Sequence, residues 1–225
     1  MKIMQINLVD YKEWTESLGY DREWKIQNFQ HGFLSRLNEI AAEINSFIIT
    51  YRYDNYIMLL DGVLIGKNDY ILTKIKELSP VPIDICFGYG KTLLDAERNC
   101  SIDMNSILLA KDEKLLVAHF DLDGFSRKKL LLDAYLEVYK IYNKLFNYAM
   151  ELGGLAYYFG GDNIGIFLGV ENINKIIELA NSFPNMKVGI GIGNNPREAL
   201  KNAAEALHTI RIYRDRKIEI VDSKN

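Results

Sequence analysis

Leu155-Ala156-Tyr157-Tyr158-Phe159-Gly160-Gly161-Asp162-Asn163-Ile164-Gly165-Ile166-Phe167-Leu168 sets two runs rich in apolar and aromatic residues on either side of Gly-Gly-Asp-Asn. Such runs favour strands, and the interruption has hairpin chemistry. The same pattern occurs upstream, where Phe47 to Tyr53 and Tyr56 to Leu60 flank Asp54-Asn55. Other anchors pair in the same order: Asp10 with Asp123, and Phe87-Gly88-Tyr89-Gly90 with Ile190-Gly191-Ile192-Gly193. Each segment between successive anchors is five residues shorter in the second copy. A regular order of this kind marks an internal repeat. Two copies of one unit are therefore expected, residues 1–107 and 112–225, joined near Lys111-Asp112-Glu113-Lys114.

Between the hairpins the period changes from two to about three and a half. Leu131, Tyr135, Val138, Tyr142, Leu145 and Ala149 form a helical stripe, as do Leu200, Ala203, Leu207 and Ile210. Asn195 is placed to cap the latter helix, with Pro196 at its first position and Glu198 in its first turn. Thr92 and Asp95 have capping-box spacing in the first copy. Each copy reads strand, helix, hairpin, helix, strand. The expected fold class is α+β: two tandem ferredoxin-like (βαββαβ) repeats with antiparallel sheets.

Composition bounds the rest. A length of 225 residues suits one large or two small domains at about 150 residues each, and 48% apolar residues supply a core. Twenty-seven Lys and Arg against 30 Asp and Glu give no global basic field, so no nucleic-acid partner is expected and an anionic ligand needs a local site. Apolar runs such as Ile57 to Leu60 are far below the ~20 residues that span a bilayer. Met1-Lys2-Ile3-Met4 runs straight into a strand pattern, without a signal-peptide core. A soluble, cytoplasmic chain without membrane association is expected. Cys86 and Cys100 are too few for a disulfide framework or a paired metal motif and read as buried, reduced thiols.

The second copy carries the chemistry. In the expected topology the end of the first strand, Phe120-Asp121-Leu122, meets the hairpin tip, so Asp121 and Asp162 face each other across neighbouring strands. Two exposed carboxylates so placed call for a hard cation such as Mg²⁺, with the Leu122 carbonyl as a further oxygen ligand. Gly160 and Gly161 let a ligand approach the backbone, and Asn163 completes the turn. Gly124-Phe125-Ser126 leads towards a helix N-terminus suited to phosphate, and Arg211 and Arg214 stand ready to close on the same phosphates. The first copy reads as depleted: Leu8 stands at the place of Asp121, and Arg52-Tyr53 replaces Gly160-Gly161. His119 reads as structural, alternating away from the neighbours of Asp121 or packing beneath the site; His208 precedes Arg211 by one turn. No Cys/His cluster suggests zinc.

The FDLDGF at 120–125 followed by GGDN at 160–163 resembles the palm-like nucleotidyl cyclases, both GGDEF diguanylate cyclases and class III adenylyl cyclases. Tyr53-Asp54-Asn55, Gly160 to Asn163 and Gly189 to Gly193, in that order, resemble archaeal GTP cyclohydrolase III more closely and over essentially the whole chain. That resemblance implies a Mg²⁺-dependent hydrolase, aided by a monovalent cation such as K⁺ and acting on GTP. It would open the imidazole ring with the formyl group retained and release two phosphates, supplying flavin and deazaflavin biosynthesis. Asp121, the Leu122 carbonyl and Asp162 would hold metal; Gly124, Phe125 and Arg211 would hold phosphate; Gly160 to Asn163 would face the nucleotide. Self-association into a homo-oligomer is also expected. The alternatives are a nucleotidyl cyclase and a GTP-sensing palm protein without turnover. Asn163 in place of an acid, and two unequal copies in one chain, argue against cyclase chemistry.

Overall fold

The computed structural model describes residues 1–63, 68–101, 107, 109–125 and 130–223. The first half runs β1 (Lys2–Leu8), α1 (Tyr11–Ser17), α2 (Glu23–Glu43), β2 (Phe47–Arg52), β3 (Asn55–Leu59), α3 (Asn68–Glu77), β4 (Ile83–Tyr89) and α4 (Leu93–Arg98). The second runs β5 (Leu115–Leu122), α5 (Leu131–Glu151), β6 (Leu155–Gly160), β7 (Asn163–Gly169), α6 (Ile173–Ser182), β8 (Met186–Gly193), α7 (Pro196–Tyr213) and β9 (Ile218–Asp222). The sheet orders are β2-β3-β1-β4 and β6-β7-β5-β8-β9. All pairs are antiparallel except β8 with β9, a strand the sequence pattern did not suggest. In both sheets the third strand lies between the first two, so the chain is an α+β pair of tandem ferredoxin-like repeats.

Strand alternation divides the burial. Leu116, Ala118 and Phe120 point to the face covered by α5 and α6, where they pack with Val138, Leu145, Ala149 and Ile176. Leu115 and Val117 point the other way and share a core with Ile3, Ile49 and Leu59 of the first sheet. Phe47 reaches across to Phe167, with ring centroids 5.3 Å apart. The expected stripe on α5 holds except at its start, where Leu131 is exposed. The predicted caps are present: Asn195 accepts from the Glu198 N–H at 2.9 Å, and Thr92 from the Asp95 N–H at 3.1 Å.

The repeats meet reciprocally. The Leu94 N–H donates to Gly153 O at 3.0 Å, and the Arg197 N–H donates to Asn45 O at 3.4 Å. Gly153 and Asn45 both follow the long helix of their repeat and both have positive φ, 73° and 60°. The junction is pinned to the first sheet, because Asp112 accepts from the Lys2 ammonium at 2.9 Å and from the Gly62 N–H at 3.0 Å.

Cys86 and Cys100 are bonded to each other, with Cα atoms 5.5 Å apart, which corrects the expectation of reduced thiols. The cause is a pairing invisible in a count of cysteines. Phe87 and Ser101 exchange N–H···O bonds of 2.6 and 2.9 Å, which holds the segment after α4 against β4 and so places Cys100 near Cys86.

Candidate active site

Asp121, next to last in β5, lies directly opposite Asn163 at the start of β7, and the Leu122 N–H donates to Asp162 O at 3.2 Å. The topology therefore brings Asp121 and Asp162 to one sheet edge. Gly160 and Gly161 turn the hairpin at φ 107° and 60°, values that L side chains avoid. A Cβ at Gly160 or at Gly124 (φ 79°) would meet no atom within 4 Å, so both face open space. Phe125 is half-buried against the core of the second repeat, its ring 5.5 Å from that of Tyr135. Ser126, where the phosphate-binding helix was expected to start, lies outside the described residues, and the described helix begins at Leu131.

Asp121 is buried rather than exposed, at 8% of its accessible surface. Arg211, in the last turn of α7, sets Nη2 3.0 Å from its Oδ1. Burial of a carboxylate needs a positive partner, and here the guanidinium supplies it. Asn163 links the second acid to the interior: its Nδ2 donates to Asp162 Oδ1 at 2.7 Å, and its Oδ1 lies 2.9 Å from His119 Nε2. His119 therefore does not alternate away from the site; two residues from Asp121 along a strand, it shares the same face. Its ring packs 5.1 Å from Phe159. Burial pushes the imidazole below its ordinary pKa, opposed by the Asn163 contact and by Asp121. His208 is exposed on α7.

Beside Arg211 opens a cleft of about 520 Å³ lined by five cations, Lys187, Arg211, Arg214, Arg216 and Lys217, and by two acids, Asp123 and Asp215. Lys187 pairs with Asp123, and Arg216 pairs with Asp215 and Glu219, each at 2.8 Å. Arg214 caps α7 in the left-handed conformation, and its Nε donates to Arg211 O at 3.3 Å. The sequence pointed to Arg211 and Arg214 but missed Lys187, Arg216 and Lys217. Lys187 sits across from Asp121 on β8, a register no local pattern reveals.

The donor set suits a hard cation: two carboxylates and a backbone carbonyl, all oxygen. Among the described residues no group of three or more His, Cys, Asp or Glu side chains comes together. A cation here would complete its shell with water or ligand oxygens, as Mg²⁺ commonly does. The first repeat has a different set. Asn7 faces Asn55, and the Leu8 N–H donates to Asp54 O at 2.9 Å, so Asn7 occupies the place of Asp121 and Leu8 that of Leu122. The expected equivalence of Leu8 with Asp121 was thus one residue out of register. Asp54 is held by Arg52 at 2.6 Å, where the second hairpin has only glycine.

Two ferredoxin-like repeats in one chain, the second bringing two carboxylates to one sheet end beside a cleft rich in Lys and Arg, define a tandem-repeat α+β protein. The family model described as GTP cyclohydrolase III matches residues 1–223, and the chain belongs to that enzyme family. It is 95% identical over 225 residues to a protein of Sulfurisphaera tokodaii named GTP cyclohydrolase III, covering 100% of both chains. A protein of the same name from Saccharolobus solfataricus is 41% identical, covering 96% of this chain and 97% of that one. Among solved structures, a GGDEF domain from Pseudomonas aeruginosa matches at TM-score 0.40 and 16% identity, covering 50% of this chain and 84% of that one. A class III adenylyl cyclase-like ATP-binding protein from the same organism matches at 0.33 and 9%, covering 99% and 83%. Both likenesses are too distant to bear on activity. No helix among the described residues is long and apolar enough to cross a membrane.

Proposed function

We propose that the chain is a GTP cyclohydrolase that opens the guanine imidazole ring, keeps the formyl group and releases the outer two phosphates as orthophosphate. The product would be 2-amino-5-formylamino-6-(5-phospho-ribosylamino)pyrimidin-4(3H)-one. Full-length membership in a family whose relatives carry that name supports the activity class. The observation that carries the site is the basic cleft opening beside two carboxylates on one sheet edge.

Asp121, Asp162 and the Leu122 carbonyl would hold Mg²⁺, which when bound polarises phosphoryl oxygens and neutralises their charge. Arg211 and Arg214 bind the phosphate chain; a guanidinium fork matches phosphate geometry. Gly124, Gly160 and Gly161 would offer backbone beside open space, Phe125 would add its backbone, and Asn163 orients Asp162 by its 2.7 Å hydrogen bond. A monovalent cation such as K⁺ would assist.

Incubation with GTP and Mg²⁺, followed by product identification, tests this reading. Orthophosphate with loss of purine absorbance is expected. Pyrophosphate with an intact purine would indicate a cyclase, and binding without product a sensor; either outcome contradicts the reading.

A further inference from the structure

Lys187 enters the basic cleft at the end of a glycine track. It is the second residue of β8 and lies directly opposite Asp121 of β5. Directly opposed residues share a face of the sheet. Along β8 that face continues as Gly189, Gly191 and Gly193, and α7 lies over it: a Cβ at Gly191 would strike Ala199 O, and one at Gly189 would strike Ala203 O and Leu207 N. The helix therefore advances towards Lys187, and its last turn carries Arg211 to Asp121 at 3.0 Å.

Two ion pairs thus stand side by side at the end of β5, Arg211 with Asp121 and Lys187 with Asp123. They are not alike. Asp121 belongs to the proposed cation site, so a bound cation draws it from Arg211 and frees the guanidinium for phosphate. Asp123 is outside that donor set, and Lys187, whose side chain retains 25% of its surface, is released only by a competing anion. Other cations of the cleft are engaged elsewhere: Arg216 holds Asp215 and Glu219, and Lys217 donates to Ala180 O at 3.4 Å and Asn181 O at 3.2 Å, at the end of α6.

The fold does not need the Lys187–Asp123 pair. The Asp123 N–H donates to Asn185 O at 2.9 Å, and the first repeat makes the same bond from the Val9 N–H to Pro82 O at 2.8 Å. There Val9 stands for Asp123, and Asp84, opposite Asn7 on β4, stands for Lys187. The first repeat builds the same strand end without the pair, and with an exposed acid where an anion would have to bind. The pair accompanies the carboxylates Asp121 and Asp162.

Sheet order decides what Lys187 can reach. In β6-β7-β5-β8-β9 the hairpin bearing Asp162 lies on one flank of Asp121 and Lys187 on the other. A polyphosphate that approaches from the hairpin and bridges the cation meets Lys187 last, two strand spacings or roughly 10 Å from β7.

We propose that Lys187 binds the outer phosphates of a nucleoside triphosphate and that Asp123 is its resident counter-ion, displaced when the nucleotide binds. The proposal deepens the nucleotide reading above and rests on it. An ammonium with three donors and no acceptor can leave one carboxylate for oxygens that carry several charges. Asp123 therefore competes with the substrate: it holds the lysine in place beforehand and lowers the affinity for triphosphate.

Binding of guanosine 5′-(β,γ-imido)triphosphate, inorganic triphosphate and GMP, each with Mg²⁺, tests it. The proteins are the full-length chain, Lys187→Gln, Lys187→Arg, Asp123→Asn and the double variant Lys187→Gln/Asp123→Asn. Lys187→Gln should weaken both triphosphates roughly tenfold and leave GMP, which has no outer phosphate, within about twofold. Lys187→Arg should recover most of that loss. Asp123→Asn should have the opposite sign, tightening both triphosphates by about two- to fivefold, the range of a partly exposed ion pair. That gain should vanish once Lys187 is Gln, and retained GMP binding shows that the variants are folded. Weaker triphosphate binding in Asp123→Asn, a gain that persists in the double variant, or a loss in Lys187→Gln that is absent or equal for all three ligands would overturn the assignment while leaving the nucleotide reading intact. A wild type that binds neither the imido analogue nor inorganic triphosphate would remove both.

Discussion

At the scale of single residues, the pairing of Arg211 with Asp121 changes what the two side chains do before any ligand arrives. The guanidinium is about half exposed, whereas the carboxylate side chain retains only 11% of its surface, so the two partners are not equivalent. Removing Asp121 leaves a cation that water can solvate; removing Arg211 leaves an anion that it cannot. Arg211→Ala should therefore lower stability in Mg²⁺-free buffer, on the order of 1 kcal/mol, and the loss should shrink as Mg²⁺ is added. The same variant should bind GTP about tenfold to a hundredfold more weakly and guanosine almost normally, since a bidentate contact to phosphate is worth roughly 1.5–3 kcal/mol. Calorimetric melting with and without Mg²⁺, together with titrations of both ligands, checks these outcomes. Equal weakening of GTP and guanosine would detach Arg211 from phosphate. Both residues were legible in the sequence, but their contact was not, because it joins a strand end to a helix end 90 positions later.

At the scale of elements, α7 depends on its cap and on the strand beneath it. Gly189, Gly191 and Gly193 alternate along β8, and a Cβ at Gly191 would lie 2.1 Å from Ala199 O. Backbone cannot move aside as a flexible side chain can, so Gly191→Ala should cost about 1–3 kcal/mol or more and displace Arg211 with the helix. Urea denaturation would reveal this; an unchanged midpoint would mean the helix is free to shift. At the helix start, the Asn194 N–H donates to Glu198 Oε2 at 2.6 Å, and this bond, followed by one from Ser223, holds the Glu198 carboxyl below its ordinary value of 4.5. A depressed folded-state pKa adds stability above pH 4.5 and loses it as the pH falls through the folded value. The stability gap between wild type and Glu198→Gln should therefore be widest above pH 4.5 and close on acidification. A gap independent of pH would show that the charge contributes nothing. The caps and stripes were readable because they are local; β9 and the register at Asn7 were not, since both are decided by neighbouring strands.

At the scale of the whole molecule, duplication followed by divergence explains the distribution of chemistry. The repeat was visible in the order of Asp-Asn hairpins and Gly-x-Gly strands, and with it the edge that holds Asp121 and Asp162. The basic cleft and the disulfide were hidden because each joins residues from separate elements. The Cys86–Cys100 bridge closes a loop of 14 positions, for which the chain-entropy model gives about 3 kcal/mol. Cys86→Ser should lower the melting temperature of protein prepared without reductant and make it insensitive to dithiothreitol; wild type equally insensitive would argue against the bridge. The division of labour between the repeats is the central claim. The carboxylate pair at Asp121 and Asp162 has only Asn7 and Asp54 as its counterpart, and Arg52 holds Asp54. Its most direct test is GTP turnover at saturating Mg²⁺, followed by loss of purine absorbance and release of orthophosphate, in Asp121→Asn, Asp162→Asn and Asp54→Asn. Both substitutions in the second repeat should abolish turnover without unfolding the chain, and Asp54→Asn should retain most of it. Near-native turnover in Asp121→Asn or Asp162→Asn, or a loss in Asp54→Asn as deep as theirs, would contradict the account.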